Sequence, residues 1–341
     1  MNLDKLKTTD GVDVKGKRVL VRADLNVPVK DAKVTDATRL ERLVPGLKDL
    51  SGRGAKVIII SHFGRPKNGP EAQFSLKPVA DALSGLLGGP VTFVGDCVGE
   101  AASGAVAQVT DGGIAVLENL RFHKGEEKND GAFAAQLAKL GDIYVGDAFS
   151  CAHRAHASTE GLTHHLPSYA GPLLMEEINA LRTALEKPRR PVAAIVGGMK
   201  VSTKIEVLTN LVAKVDKLVI GGGMANTFLQ SLGGMTGQSI TEPDYHATAR
   251  EIMAEAKQKN CELILPVDAL VADAFAEDVD TQIVGIDKVP FDKMILDVGP
   301  KSIAHVNTVL EGCHTVLWNG PMGAFEIRKF ATGTFEVAKK V

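Results

Sequence analysis

The chain has 341 residues, 45% hydrophobic and 23% charged, with a formal net charge of −2 at pH 7. This composition is that of a globular protein of about two domains, and the small net charge provides no general basic field for binding nucleic acid. No run approaches the ~18 apolar residues of a membrane span, and the N-terminus lacks the apolar core of a signal peptide. The cysteines are scattered without a paired spacing, which argues against a disulfide framework or a zinc motif and favours a reducing cytoplasm.

In the first half, short β-branched runs alternate with segments of helical spacing. The predicted strands are residues 19–21, 57–60, 91–94, 115–117 and 143–145, and the predicted helices are residues 37–50, 77–87 and 132–140. Alternation of this kind is typical of βαβ units around a parallel sheet.

The same pattern restarts in the second half. The predicted strands are residues 192–196, 217–220, 262–266, 293–297 and 315–318, and the predicted helices are residues 202–215 and 243–259. A separate helix is expected at residues 173–185, between the two halves. The prediction is therefore an α/β protein with two doubly wound parallel-sheet domains joined by a connector helix, with one larger sheet as the less favoured alternative. The expected boundaries are 1–170, 171–190 and 191–341.

Four predicted strands of the first half run directly into segments that carry arginine or histidine. These segments hold Asp24 and Asn26 after the first strand, His62 and Arg65 after the second, Arg121 after the fourth and Arg154 after the fifth, and Arg39 lies in the segment 35–39. A single arginine at a strand end is most often a surface ion pair. Since the carboxyl ends of parallel strands meet at one edge of a sheet, four such segments in order predict one convergent anion site.

A glycine-rich turn follows the first strand of the second half. Residues 195–204 run from this strand through Gly198 to Lys200 and Lys204, whose spacing predicts that both lysines share one face of the next helix. Glycine lets the backbone approach a phosphate, and the N–H groups at a helix start favour anions.

Two further segments of the second half suit a nucleotide. Residues 218–226 repeat the strand–glycine–helix arrangement with Gly222 and Gly223, and Asn319 and Glu326 follow the last predicted strand. No segment fits a recognised nucleotide fingerprint, so a tight turn after a buried strand remains the plainer interpretation of each. A cationic site in one half and glycine–lysine turns in the other together favour phosphoryl transfer, which depends mainly on positioning and charge neutralisation.

Four motifs carry a resemblance to a known family. They are Asp-Leu-Asn-Val-Pro, Ser-His-Phe-Gly-Arg-Pro, Glu-Asn-Leu-Arg-Phe-His and Ala-His-Arg-Ala-His-Ala-Ser, beginning at residues 24, 61, 118 and 152. In this order they resemble the phosphoglycerate kinases, and the likeness runs along essentially the whole chain. The resemblance implies two Rossmann-like domains that close about a hinge. It also implies reversible transfer of a phosphoryl group from 1,3-bisphosphoglycerate to ADP with Mg²⁺, in a cytoplasmic monomer without nucleic-acid or membrane partners.

The resemblance also implies a role for each candidate residue. Asp24 and Asn26 would hold the hydroxyl and carboxylate region of the glycerate, while Arg39 and Lys200 would neutralise the transferring group from the substrate and nucleotide sides. The non-transferred phosphate would be bound by His62, Arg65, Arg121 and Arg154. The nucleotide would be held by Gly198, Lys204, Gly222, Gly223 and Asn319, and its ribose by Glu326.

The chain departs from the family pattern at three places. Family members continue for several tens of residues past the position of Val341, and that segment carries a Gly-Gly-Gly-Asp motif whose Asp helps to hold Mg²⁺. We therefore expect a truncated nucleotide-binding domain and assign no metal ligand within the chain. Met199 stands where a small residue is usual and is a candidate for crowding the nucleotide, and Lys329 stands where proline is usual.

Two other functions compete with phosphoryl transfer. The first is a naturally truncated, non-catalytic paralogue that binds 3-phosphoglycerate, which the complete anion motifs and shortened nucleotide half would both permit. The second is a nicotinamide dehydrogenase, which is disfavoured because the glycine fingerprint fails.

Overall fold

The apolar runs of the first half fold as short strands connected by helices. The computed structural model describes residues 5–67 and 69–341, and the chain divides into two units, Met1–Ala180 and Leu181–Val341. The first unit contains, in order, β1 (Arg18–Arg22), β2 (Val29–Lys30), β3 (Lys33–Val34), α1 (Thr38–Gly52), β4 (Lys56–Ile60), α2 (Lys77–Leu87), β5 (Val91–Val94), α3 (Gly99–Ala107), β6 (Ile114–Leu117), α4 (Gly131–Ala138), β7 (Ile143–Gly146) and β8 (Ser168–Ala170).

The main sheet of this unit is parallel and has a reversal of strand order at β1. Its described strands lie in the order β5-β6-β4-β1-β7-β8, and β2 and β3 form a separate antiparallel hairpin. On β1, Val21 pairs with Ile59 of β4 on one side and Val145 of β7 on the other. The chain leaves β1 toward β4 and later returns to its other side at β7, which makes the crevice between β1 and β7 a topological switch point.

Both faces of this sheet are buried, which explains the continuous apolar runs. Alternate residues of β1 and β4 divide between two cores, so that Val21 and Ile59 lie in one while Leu20 and Ile58 lie in the other. Burial on both faces is the usual condition of a parallel sheet covered by helices.

Helix α5 (Pro172–Glu186) contains the division between the two units. Pro172 is its first residue, a position where the missing N–H costs nothing. The Asp147 carboxylate, which follows β7, accepts the backbone N–H of Leu174 at 3.0 Å and so satisfies a free donor of the first turn.

The second unit repeats the parallel arrangement. It contains β9 (Val192–Val196), α6 (Ile205–Val212), β10 (Lys217–Ile220), α7 (Gly222–Ser231), α8 (His246–Gln258), β11 (Glu262–Ile264), β12 (Asp268–Ala272), β13 (Thr281–Gly285), β14 (Met294–Val298), α9 (Pro300–Glu311), β15 (Thr315–Asn319) and α10 (Thr332–Ala338). The described strands of its parallel sheet lie in the order β11-β10-β9-β15. Here the order reverses at β9, which creates a second switch point between β9 and β15.

The predicted α/β class with parallel sheets is confirmed, with one addition. The strand predicted at 293–297 lies instead in a small antiparallel sheet of order β13-β12-β14. The period-2 and β-branched signals that predict a strand do not distinguish its partner or direction. None of the helices in the described ranges combines the length and apolar character needed to cross a membrane.

Candidate active site

The side chains predicted to bind an anion follow four adjacent strands of the first sheet. Asp24 and Asn26 follow β1, His62 and Arg65 follow β4, Arg121 follows β6, Arg154 follows β7, and Arg39 is in the first turn of α1. Since β1, β4, β6 and β7 are parallel, these segments leave the sheet at the same edge. The strand order places the β1 and β7 segments on the two sides of the first switch point.

Asp24 anchors the guanidinium of Arg39. Nη1 of Arg39 donates to Oδ2 of Asp24 at 2.7 Å and to the carbonyl oxygen of Asn26 at 3.1 Å. The Ser150 hydroxyl donates to the same Asp24 oxygen at 2.5 Å. Burial raises the pKa of Asp24, but hydrogen bonds from Ser150 and Asn26 and the charge of Arg39 outweigh burial and leave this pKa lowered. Asp24 is therefore ionised at neutral pH and positions Arg39.

Gly64 connects the segments that follow β1, β4 and β6. Its N–H donates to Oδ1 of Asn26 at 2.9 Å, and its carbonyl oxygen accepts Nη1 of Arg121 at 2.7 Å. Its φ of +58° favours glycine, and a Cβ here would overlap the ring of Phe74. The backbone of Gly64 thus sets Asn26 and Arg121 relative to each other.

Arg121 carries a buried donor without a partner in the described part of the chain. Its side chain is 9% exposed and pairs with Oε1 of Glu127 at 2.9 Å. Burial and the nearby charges of Arg154 and Arg22 lower its pKa, against the opposing effect of Glu127. Among the described residues, its Nε is buried without a hydrogen-bond acceptor. A guanidinium with a free donor beside other cations is suited to an anionic ligand.

His62 is a buried neutral imidazole. It is 7% exposed, and its Nδ1 lies 3.2 Å from Nη2 of Arg22. Burial, followed by the charges of Arg22 and Arg121, lowers its pKa to about 3. At neutral pH His62 therefore contributes a hydrogen bond to the cluster and no charge.

The remaining two predicted cations differ in how closely they belong to this cluster. Arg154 donates from Nε to Nε2 of His153 at 3.3 Å, and its charge lowers the pKa values of His62 and Arg121. Arg65 is exposed beside Gly64 and has no ion pair among the described residues. The structure thus links Arg154 electrostatically to His62 and Arg121, whereas Arg65 is only adjacent along the chain.

A cavity of about 430 Å³ opens beside Asp24 and Arg39. Asn26, Phe149 and Ser150 also line it, so it borders the segments that follow β1 and β7. Small-molecule sites commonly have volumes of ~300–1,000 Å³, and this cavity can accept a compact metabolite.

Sequence reasoning missed a buried polar network next to His62. The last residue of β1, Arg22, donates to the Ser158 hydroxyl, and this hydroxyl donates to Glu126. The sequence feature that could have indicated this network is the charged residue Arg22 at the end of the apolar run 19–21. No sequence pattern indicates its partners, which lie more than a hundred residues away.

In the second unit, Lys204 connects the ends of β9 and β15. Its Nζ donates to the carbonyl oxygens of Gly197 at 2.7 Å and Asn319 at 3.3 Å, and also to the Asn319 side-chain oxygen. Burial lowers the pKa of Lys204. None of the carboxylates in the described ranges pairs with it, so its charge is not neutralised by the protein.

The prediction that Lys200 and Lys204 share a helix face is wrong. Helix α6 begins at Ile205, and both lysines lie in the turn before it. Ser202 in this turn donates its N–H at 3.0 Å and its hydroxyl at 2.6 Å to the carboxylate of Glu242. These bonds hold Ser202 in the turn that precedes the helix. Lys200 is exposed on the turn.

Gly198, Gly222 and Gly223 allow close backbone packing at this edge of the second sheet. A Cβ on Gly222 would lie 2.7 Å from backbone atoms of Gly198, and one on Gly223 would lie 3.0 Å from the carbonyl oxygen of Met199. The N–H of Gly222 is already bonded to the carbonyl oxygen of Met322. The first turn of α7 therefore has fewer unbonded N–H groups for a phosphate than the sequence predicts.

The remaining predicted nucleotide residues, and the two residues that depart from the family pattern, lie in different surroundings. Asn319 ends β15 and accepts Lys204, whereas Glu326 is exposed in the following segment. Met199 is 60% exposed and so fills no gap in the core. Lys329 donates from Nζ to the carbonyl oxygen of Val279 at 2.7 Å, a contact that proline cannot make.

The turns at β9 and β15 do not themselves form a magnesium site. Mg²⁺ prefers oxygen ligands and is commonly bound through one or two carboxylates. In the described part of the chain no carboxylate contacts Lys204, and the Asn319 side-chain oxygen is occupied by this ammonium. These residues do not fit a magnesium ion, so no magnesium ligand is assigned.

Comparisons with known proteins show which family the chain is similar to. A family model described as phosphoglycerate kinase matches residues 9–341. The curated phosphoglycerate kinase of Bradyrhizobium diazoefficiens is 58% identical over 98% of this chain and 84% of its own length, and that of Rhizobium meliloti is 55% identical over the same shares.

Solved structures give the same result. The phosphoglycerate kinase of Coxiella burnetii has a TM-score of 0.80 at 42% identity, and that of Pyrococcus horikoshii has a TM-score of 0.85 at 29% identity. Each alignment covers 98% of this chain and 85% of the other. The fold and these matches define an α/β phosphotransferase of two units, and the matches do not favour a binding-only paralogue.

The chain belongs to the phosphoglycerate kinase family. It is accordingly an ATP-dependent kinase that acts in glycolysis.

Proposed function

We propose that the first unit binds 3-phosphoglycerate or 1,3-bisphosphoglycerate and that the second unit binds ADP or ATP. The phosphoryl group then passes reversibly between the acyl phosphate and ADP. In this proposal residues 1–170 form the substrate domain, 191–341 the nucleotide domain and 171–190 the connection. The observation that carries it is the free buried Nε of Arg121 beside the neutral His62.

The non-transferred phosphate binds to His62, Arg65, Arg121 and Arg154. Arg121 is the principal ligand because its guanidinium is already fixed by Gly64 and Glu127 and retains one free donor. Arg154 adds charge, His62 adds a neutral hydrogen bond, and Arg65 reaches the phosphate from the surface. Charge-assisted bonds of this kind are about twice as strong as neutral ones.

Asp24 and Asn26 hold the reacting end of the substrate, and Arg39 lies beside them. Asp24 accepts the glycerate hydroxyl, and Asn26 lies near the carboxylate. In its pair with Asp24, the Arg39 side chain is 49% exposed, so its guanidinium is accessible to a ligand. Arg39 then stabilises negative charge on the transferring phosphoryl group.

On the nucleotide side, Lys204 binds phosphate and Lys200 neutralises charge on the transferring group. Lys204, which has no countercharge among the residues that the structure describes, holds nucleotide phosphate near Asn319. Lys200 is exposed, and the flexible four-carbon stem of a lysine lets its ammonium follow the phosphoryl group. Gly198, Gly222 and Gly223 permit close approach of the nucleotide, and Glu326 accepts its ribose hydroxyls.

The chemistry needs no general base. Carboxylate and ADP phosphate oxygens are already ionised at neutral pH, so the residues only orient the reactants and neutralise charge. Excluding water would limit hydrolysis of the acyl phosphate. We further propose that the nucleotide brings its own Mg²⁺ and that the enzyme works as a cytoplasmic monomer.

The test is direct assay of the purified chain for ATP formation from 1,3-bisphosphoglycerate and ADP. Arg121→Gln should raise KM for the glycerate substrate by tenfold or more, because it removes a charged phosphate contact. Arg18→Gln is the matched control, since Arg18 pairs with Asp142 at the start of β1. An unchanged KM in Arg121→Gln would contradict the phosphate assignment.

A further inference from the structure

Arg22 is a buried arginine whose three nitrogens all have protein neighbours. It is 2% exposed. Its Nε donates to the Ser158 hydroxyl at 2.8 Å, its Nη1 to the carbonyl oxygen of Ala23 at 2.5 Å, and its Nη2 lies 3.2 Å from Nδ1 of His62. A side chain so enclosed does not extend into the cavity and therefore acts through its neighbours.

The charge of Arg22 is compensated through a hydroxyl bridge. Glu126 has a fully buried side chain, and it accepts the Ser158 hydroxyl at 2.6 Å and the Ser158 N–H at 3.0 Å. The Ser158 oxygen thus accepts from the guanidinium and donates to the carboxylate. Buried networks of this kind hold their members rigidly when every group is satisfied.

The contact between Arg22 and His62 has only one chemically consistent direction. A guanidinium carries donors and no acceptor. Nδ1 of His62 must therefore be the acceptor, and the ring proton must reside on Nε2. The other neighbour of Nδ1, the Cys151 sulfur, lies farther away at 3.8 Å.

We propose that Arg22, held by Ser158 and Glu126, is a positioning residue that fixes His62 as the Nε2–H tautomer. His62 then donates from Nε2 to the substrate phosphate, a function that rests on the phosphate site proposed above. A ring in the opposite tautomer would present a lone pair to the phosphate and repel it.

The charged groups around His62 favour this neutral form from several elements. Arg22 lies at the end of β1, Arg121 after β6 and Arg154 after β7, and all three lower its pKa, whereas Asp24 opposes them. Burial acts in the same direction as the arginines. An imidazolium would lose the bond from Arg22, because both of its nitrogens would then be donors.

The first experiment reads the tautomer without substrate. In protein labelled with ¹⁵N-histidine, long-range ¹H–¹⁵N spectra between pH 5.5 and 8 should show His62 with its proton on Nε2 alone. An Nδ1–H tautomer, or a protonated ring at pH 6, would overturn the proposal. This measurement needs only the wild-type protein.

The second experiment connects the tautomer to function. Arg22→Met removes the donor, and we expect mixed tautomers for His62, an approximately tenfold higher KM for 3-phosphoglycerate and kcat within about twofold. Arg18→Met, in the same strand, is the matched control and should leave the His62 spectrum unchanged. An unaltered tautomer in Arg22→Met would refute the positioning role.

Two substitutions of Ser158 test the hydroxyl bridge while the buried charges of Arg22 and Glu126 stay in place. Ser158→Ala should loosen Arg22 and reproduce part of the tautomer and KM changes, and Ser158→Thr, which retains the hydroxyl, should restore them. If Ser158→Ala leaves both readouts at their wild-type values, the bridge has no positioning role.

His62→Ala separates this inference from the proposed function. If His62→Ala leaves the affinity for 3-phosphoglycerate unchanged while the wild-type spectrum shows Nε2–H, the phosphate contact of His62 is wrong and the tautomer assignment stands. If His62→Ala weakens the affinity but the wild-type ring carries its proton on Nδ1, the role of Arg22 is wrong and the phosphate site stands.

Discussion

At the residue scale, substitution of Arg39 should affect catalysis and substrate binding differently. Its guanidinium is held 2.7 Å from Asp24, where it can respond to charge that develops on a transferring group. Because such a residue acts mainly in the transition state, Arg39→Ala should lower kcat by about 100-fold or more and change the Kd for 3-phosphoglycerate by less than threefold. Steady-state kinetics and calorimetry measure the two quantities.

Arg18→Ala provides the control for Arg39→Ala. Arg18 makes a partly exposed ion pair with Asp142 at the opposite end of β1 and should show wild-type kinetics. Equal fractional losses of kcat and of 3-phosphoglycerate affinity in Arg39→Ala would contradict a transition-state role.

His62 makes a pH-dependent contribution to stability. Its pKa is about 3 in the folded protein, while an unfolded histidine has a pKa of about 6.5. The unfolded state therefore binds more protons between these values, and the free energy of unfolding falls as pH drops from 6.5 toward 3, by up to about 1.4 kcal/mol per pH unit.

His62→Gln tests this linkage by removing the titrating group. Denaturant unfolding at pH 7 and pH 4.5 should show a smaller loss of stability in His62→Gln than in the wild type. His164→Gln is the matched control, because His164 is exposed. Equal losses in His62→Gln and the wild type would mean that His62 is not held neutral.

The sequence predicted which strand ends carry the candidate residues, but it did not predict their contacts. Asp24 and Arg121 follow strands, and strand ends can be predicted from apolar runs. The bond from Arg121 to the carbonyl oxygen of Gly64 and the network of Arg22 depend on residues far apart in the chain. Contacts of this kind follow from the three-dimensional packing and leave no local pattern.

At the element scale, Asp147, whose carboxylate caps the start of α5, tests how burial changes the pKa of a carboxyl group. Burial raises the pKa of Asp147 to about 6, against the opposing hydrogen bonds from Leu174 and Leu173. A raised folded pKa means that this group contributes most stability below the unfolded pKa of ~3.9 and loses it as pH rises through about 6.

Asp147→Asn retains an acceptor for Leu174 but cannot ionise. Relative to this variant, the wild type should lose stability as pH rises from 4 to 6.5, as measured by denaturant unfolding. Asp147→Ala removes the cap altogether and should cost about 1 kcal/mol at pH 4. A stability difference between wild type and Asp147→Asn that is constant with pH would show that the pKa is not raised.

Two departures from the predicted elements have separate explanations. Helix α3 is composed largely of glycine, alanine and serine, so it has little apolar periodicity to detect. Helix α6 begins three residues later than predicted, after a turn in which Ser202 is bonded to Glu242, forty residues away. By contrast, β9 and β10 match their predicted ranges because β9 is a continuous buried apolar run and β10 is one after its first residue, Lys217.

At the scale of the whole molecule, the two units share one design. Each parallel sheet reverses its strand order, and each cluster of candidate residues follows the strands at that reversal: Asp24 and Ser150 beside β1 and β7, and Lys204 and Asn319 beside β9 and β15. The central claim is that the first cluster binds the glycerate substrate and the second binds the nucleotide.

The decisive measurement is titration calorimetry of 3-phosphoglycerate and of ADP with Mg²⁺ into the wild type, Arg121→Gln and Lys204→Met. We predict that Arg121→Gln weakens only 3-phosphoglycerate binding and Lys204→Met weakens only ADP binding, each by tenfold or more, while Lys214→Met, an exposed control, changes neither. Loss of both ligands in either variant, or of the opposite ligand, would contradict the account.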